Sequence, residues 1–142
     1  MKTVMVFGVF DGISDSDRHV FQEALEFGEE LLVVVARDEV VLESHGCVPD
    51  RLLEERKELI SYESEVSLVI EGDEEPGMYS AILEHRPDVI LIGHDQDDIE
   101  RDLSIWAEEQ EIHLVIQRAS MYLPEVFTAD MLENEMDEVE IV

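Results

Sequence analysis

Three groups of residues carry side chains whose types and spacing could do chemistry. Asp11, Asp15 and Asp17 lie close together and offer the hard oxygen ligands that Mg²⁺ or Ca²⁺ takes. Their spacing is not that of a calcium loop, because Val20 stands where the turning glycine is required. A second acidic group follows Gly93, in His94, Asp95, Asp97 and Asp98. Carboxylates at a helix start favour the helix dipole, which accounts for both groups with no metal bound. The third group, Ser14 with His19 and a nearby aspartate, has the residue types of a hydrolase triad. No G-x-S-x-G elbow presents the serine, so that reading fails. Cys47 is single and has no intrachain disulfide partner. Arg56 and Arg118 are the cations placed to meet an anion, although Arg56 reads equally as a surface ion-pair residue beside Glu55.

These residues need elements to hold them, and the chain alternates apolar strands with amphipathic helices. Residues 2–7 (KTVMVF) and 31–36 (LLVVVA) are β-branched, continuous runs of the kind found in strands covered on both faces. Further strands are expected at 66–70, 89–92 and 112–116. Between them fall helices at 16–27, with Asp15 or Ser16 as cap and Gly28 as the left-handed stop, and at 49–60, with Leu52, Leu53, Leu59 and Ile60 inward. A short helix at 78–85 and an acidic one at 97–110 complete the set, the last with Ile99, Leu103 and Trp106 on one face. The fold class is α/β, a single doubly wound, mostly parallel five-stranded sheet flanked by helices. Ligands in such sheets bind beyond the carboxyl ends of the strands where the strand order reverses, which directs attention to Gly8-Val9-Phe10-Asp11 and Gly93-His94-Asp95-Gln96. The domain spans residues 1–132, and 133–142 form a loosely held acidic tail.

Charge narrows the partners. Thirty-seven Asp and Glu against nine Lys and Arg give a formal charge of −28. Binding to nucleic acid releases counterions from phosphates and needs clustered cations, so nucleic acid is excluded; an anionic membrane surface is disfavoured for the same reason. No apolar run approaches the ~20 residues that span a bilayer, and the expected location is the cytoplasm. Only Lys2 and Lys57 are lysines. Dispersed acidity with few lysines fits a salt-adapted surface or merely an acidic one.

The strand ends carry a family resemblance. The segment FGVFDGISDSDRHVFQEALEFGEELLVVVARDEVV resembles the opening of the cytidylyltransferase-like nucleotidyltransferases, whose motif is GxFDxxHxGHxxxL. This family includes glycerol-3-phosphate cytidylyltransferase and the archaeal FAD synthetases. PDRLLEERKELI is similar to its ERxE-containing helix, HRPDVILIGHDQ to its KPDVIxLGYDQ segment, and YLPEVFTAD more weakly to YxPExYxSS. The resemblance implies a Rossmann-like nucleotidyltransferase fold, transfer of a nucleotidyl unit from CTP or ATP to a phosphorylated acceptor, Mg²⁺ if the protein is active, and a homodimer sealed by apolar residues such as Trp106. It also implies nucleotide contacts at Gly8, Val9, Phe10, Asp11, Gly93, His94, Asp95 and Gln96, and phosphate contacts at Arg56 and Arg118.

The motif itself departs from the family. Counting from Phe10-Asp11, its two histidines fall on Ser14 and Asp17 and its glycine on Ser16. His19 lies two residues further on and is assigned to a different helix face. The loop expected after the second strand reads Ser44-His45-Gly46-Cys47, without the phosphate-gripping lysine of relatives, and Thr128 and Asp130 stand where relatives carry adjacent hydroxyls. Phosphoryl transfer relies on positioning and charge neutralisation. Two readings follow: a transferase whose activity is weak or lost, or an inactive nucleotide-binding or protein-interaction module.

Overall fold

A computed structural model describes residues 1–94 and 96–121. Asp95, Thr128, Asp130, the YLPEVFTAD segment beyond Met121 and the acidic tail lie outside the described residues. Five strands, β1 (Thr3–Gly8), β2 (Glu30–Val35), β3 (Leu68–Glu71), β4 (Val89–Ile92) and β5 (Ile116–Arg118), form one sheet in the order β3-β2-β1-β4-β5. Every strand pairing is parallel, with Val4 opposite Leu31 on one side and Val89 on the other. The order reverses between β1 and β4, so the loops after Gly8 and Ile92 flank one crevice.

Alternation along the strands builds the core on both faces. Val4, Val6, Leu31, Val33, Val35 and Leu91 point to one side and pack on Phe21 and Ala24 of α1 (Asp15–Ala24) and on Leu53 and Ile60 of α3 (Leu53–Ser61). Met5, Leu32, Val34, Ile90 and Ile92 point to the other, against α4 (Ser80–His85) and α5 (Asp97–Gln110). Trp106 belongs to this second core. It is buried and meets the Tyr79 ring edge-on at 5.4 Å, so it is not available to seal a dimer.

Several local expectations are corrected. A helix absent from the sequence reading, α2 (Asp38–His45), follows β2, so Ser44 and His45 lie in its last turn and Gly46 is its left-handed cap. Helix α3 begins at Leu53, which leaves Leu52 outside it and 59% exposed. The fifth strand occupies Ile116–Arg118 rather than 112–116. Helix α1 ends at Ala24, well before Gly28, whose φ is not left-handed. Gly28 serves close approach instead: a Cβ there would sit 2.8 Å from the Lys2 carbonyl.

Ion pairs tie the sheet edge to the helices. The Glu71 carboxylate at the end of β3 accepts from Lys57 of α3 and from Arg37, 2.9 Å away, and Arg37 also reaches the Gly72 carbonyl. The Lys57 ammonium holds the Glu71 carboxyl below its ordinary value of 4.5. A depressed carboxylate adds stability above its unfolded pKa and loses it as pH falls through the folded one. The stability difference between the native protein and Glu71→Gln is therefore expected to reach about 1 kcal/mol at pH 7 and to close below pH 4, read by urea denaturation. A flat difference across that range refutes the pairing.

Most carboxylates have no such partner, because 37 acids face only nine Lys and Arg. Screening shortens their mutual repulsion to a Debye length of roughly 3 Å at 1 M salt. The melting temperature is expected to rise on going from low to molar KCl, by about 2–4 °C for each kcal/mol of repulsion removed. A flat or falling calorimetric curve excludes a repulsion-limited fold.

Candidate functional site

The crevice between β1 and β4 opens into a cleft of about 280 Å³. Its walls come from the loop after β1 (Gly8, Val9, Phe10), the first two turns of α1 (Ser16, Asp17, His19, Val20), the loop after β4 (Gly93, His94, Gln96) and Ser120. The two strand ends singled out from sequence thus share one cavity. Asp11 does not line it, and Asp95 is outside the described residues.

The β1 loop is held in an unusual shape. Phe10 has φ 56°, a left-handed conformation that is strained for a bulky residue, and Gly12 follows at φ 100°. The Phe10 ring folds back over Gly8, where a Cβ would lie 2.7 Å from it, and packs on Phe21 at 5.6 Å. Gly8 is thus required for close approach of that ring rather than for its own backbone angle. Both sides of Phe10 are fastened. The Val9 carbonyl accepts from Arg56 at 2.8 Å, and the Asp11 carboxylate accepts the backbone N–H groups of Asp50 and Arg51 at 2.8 and 2.9 Å. Those amides, Asp50 first, hold the Asp11 carboxyl below its usual value.

Arg56 is not a surface ion-pair residue. It is fully buried, and four donors are engaged: Nη2 to Asp38 at 2.6 Å, Nη1 to the Val9 and Ala36 carbonyls at 2.8 Å each, and Nε to the Arg51 carbonyl at 2.9 Å. The other carboxylate oxygen of Asp38 takes the Leu53 N–H, starting α3. One guanidinium therefore joins the ends of β1 and β2 to α2 and α3.

The positions aligned with the motif histidines interlock. Ser14 Oγ accepts from the Asp17 N–H at 3.1 Å, and Asp17 Oδ2 accepts from the Ser14 N–H at 3.0 Å. This capping box makes Ser14 the helix cap, not Asp15 or Ser16. The S-x-x-D spelling of residues 14–17 was the signal for it.

His19 lines the cleft, contrary to its assignment to another face; it lies three residues beyond Ser16 on the same helical stripe. Its Nε2 is 3.1 Å from Ser120 Oγ and 3.4 Å from Glu23 Oε1, while Glu23 accepts from the Ser120 hydroxyl at 2.7 Å. In the opposite loop, Gln96 Oε1 accepts the Gly93 N–H at 2.6 Å. Arg118 braces this loop through the His94 carbonyl at 2.7 Å and is itself paired with Asp97 and Glu100. Arg51, not singled out from sequence, lies beside Gly12 between Asp11 and Glu55, each 3.7 Å away.

Among the described residues no three His, Cys, Asp or Glu side chains converge on a point that could hold a metal ion. The donor chemistry agrees, since Asp11 and Asp17 spend carboxylate oxygens on backbone amides. These residues do not fit a resident metal. No helix among them is long and apolar enough to cross a membrane.

A parallel sheet with its cleft at the β1/β4 reversal, walled by Gly8, Val9 and Phe10 on one side and Gly93, His94 and Gln96 on the other, defines a nucleotidyltransferase-type α/β domain. The chain belongs to the cytidylyltransferase-like family, whose profile matches residues 5–137. It is 33% identical over 139 residues to the FAD synthase of Thermoplasma acidophilum, covering 98% of this chain and 96% of that protein. It is 41% identical over 106 residues to the FAD synthase of Pyrococcus horikoshii, covering 70% of each. Among solved structures, the lipopolysaccharide core biosynthesis protein of Thermoplasma volcanium matches with a TM-score of 0.77 and 35% identity, over 87% of this chain and 99% of that one.

The buried guanidinium makes a direct test of what shapes the site. Arg56→Leu leaves Asp38 and three carbonyls without their donor and is expected to cost about 3–5 kcal/mol in urea denaturation. A cost below 1 kcal/mol contradicts its role as the joint between the strand ends.

Proposed function

We propose that this protein retains the nucleotide-binding cleft of its family while nucleotidyl transfer is weak or lost. The observation that carries the reading is the Ser14–Asp17 capping box. Where the family motif has two histidines aimed at phosphate, this chain has a hydroxyl and a carboxylate bonded to each other's backbone amides. Neither can neutralise charge developing on a transferred phosphoryl group, and Asp17 opposes it. Two unit charges ~4 Å apart interact by about 4 kcal/mol at an effective dielectric of 20.

The remaining cations do not make good the loss. Four of the Arg56 donors are taken by protein acceptors, so we assign it a structural role rather than a phosphate contact. Arg118 carries two carboxylate partners. The names of the relatives make ATP and FMN the first substrates to assay, and any Mg²⁺ involved would arrive with the nucleotide.

With ATP or CTP, and FMN or glycerol-3-phosphate as acceptor, the protein is expected to release no pyrophosphate above background. Removing one preorganised donor costs roughly 10²–10³ in rate in other enzymes, and two are replaced here. The triple variant Ser14→His, Ser16→Gly, Asp17→His is expected to gain triphosphate affinity by calorimetry. Robust turnover by the unmodified protein overturns the reading.

A further inference from the structure

The cleft lacks the charge that a polyphosphate site needs. None of its described lining residues is Lys or Arg; of its two histidines, His19 has Nε2 turned to Ser120 and Glu23, and the acidic Asp17 also lines the cleft. The arginines of the flanking segments are already paired: Arg18 with Glu63 and Asp15, Arg51 with Asp11 and Glu55, Arg118 with Asp97 and Glu100. A ligand bearing several negative charges would compete with seated carboxylates for every one of these guanidinium groups. It would do so on a molecule of formal charge −28.

The surface the cleft does offer is of another kind. The Phe10 ring, Val20 and Leu91 supply apolar area. Ser16 supplies a hydroxyl, and the Gln96 carboxamide has its oxygen on the Gly93 N–H, which leaves the NH₂ to donate. Apolar walls with a few neutral donors and acceptors suit a flat heterocycle joined to a polyhydroxylated sugar. The volume, about 280 Å³, is at the small end for ligand sites and is of the size of a nucleoside.

We propose that the cleft selects the uncharged nucleoside end of its ligand and discriminates against polyphosphate, so that affinity falls along the series adenosine, AMP, ADP, ATP. This rests on the nucleotide-binding reading above and specifies the ligand class of the same site. Asp17 is the residue that imposes the ranking, because it lines the cleft and its carboxylate is held by the Ser14 N–H, which it cannot leave without breaking the helix cap.

Titration calorimetry on the full chain with adenosine, cytidine, AMP, ADP and ATP, each with and without Mg²⁺, tests this ranking. Adenosine or cytidine is expected to bind at least tenfold more tightly than ATP. In Asp17→Asn the amide oxygen can still accept the Ser14 N–H, so the cap persists while the charge goes. That variant is expected to keep its nucleoside affinity and to narrow the gap to ATP by about tenfold, its fold being checked by circular dichroism. ATP binding more tightly than adenosine overturns the proposal, as does failure of every nucleoside to bind. An unchanged gap in Asp17→Asn overturns the role of Asp17. Pyrophosphate release overturns the loss of transfer instead, so the two readings fail separately.

Discussion

A buried guanidinium has five N–H donors to satisfy, and how Arg56 satisfies them organises the upper edge of this sheet. It is the buried charged residue of the described core. Its acceptors are the carbonyls that end β1 and β2, the loop carbonyl before α3, and the Asp38 carboxylate of α2. A buried charge is tolerated only when paired and fully hydrogen-bonded, so these four pieces of backbone have to meet around it. That fixes the Val9 carbonyl. With Asp11 anchored on the next loop, Phe10 between them is held in its left-handed conformation and its ring is laid over Gly8. Strain of this kind persists only where the surroundings over-determine it. The cleft wall is therefore set by an arginine that does not line the cleft.

The same arrangement makes the shape of the cleft independent of the residues at the motif positions. Packing, the Arg56 joint and the Asp11 anchor build the cavity without using residues 14–17 for anything but a helix start. Ser14 and Asp17 make a sound cap, and caps of this type are worth about 1 kcal/mol. A serine and an aspartate in place of the motif histidines therefore start the helix soundly, whereas a change at Arg56 or Phe21 would disturb the core. The residues that build the cavity and the residues at the motif positions are thus different sets in this fold.

What the sequence could reveal follows the same division. Continuous apolar runs were legible as strands covered on both faces, and Val4, Met5 and Val6, like Ile90, Leu91 and Ile92, do put adjacent side chains into opposite cores. The strand-end loops and the motif residues located the cleft. Signals that depend on a tertiary partner were not legible. Arg56 sits in a Glu-Arg-Lys-Glu run that looks solvated, and only the fold shows it buried. Helix α2 has one buried residue, Val41, and so little apolar periodicity to announce it. His19 was misplaced because the cleft meets α1 partly end-on, taking in both Ser16 and Asp17 and the stripe one turn along. The capping box is spelled in the sequence as Ser14-x-x-Asp17, at the same positions where the family motif carries its histidines.

Charge acts here on two length scales, and salt separates them. The formal −28 repels any anion at a distance, but that field fades beyond roughly 3 Å at molar ionic strength. In concentrated salt a nucleotide could approach the molecule almost freely. Contact distances are different, because a carboxylate at the cleft wall and a phosphate a few ångströms away are closer than the screening ions can intervene. Added salt would weaken the long-range repulsion first and the local one last. The replacement of two motif histidines by Ser14 and Asp17 therefore bears on phosphate recognition under all ionic conditions, while the dispersed acidity governs mainly encounter and stability. A salt-adapted surface alone does not explain why Ser14 and Asp17 stand where the family motif has histidines, since a positive group at the cleft would act at short range in any salt. That difference is local, and it is written at the start of α1.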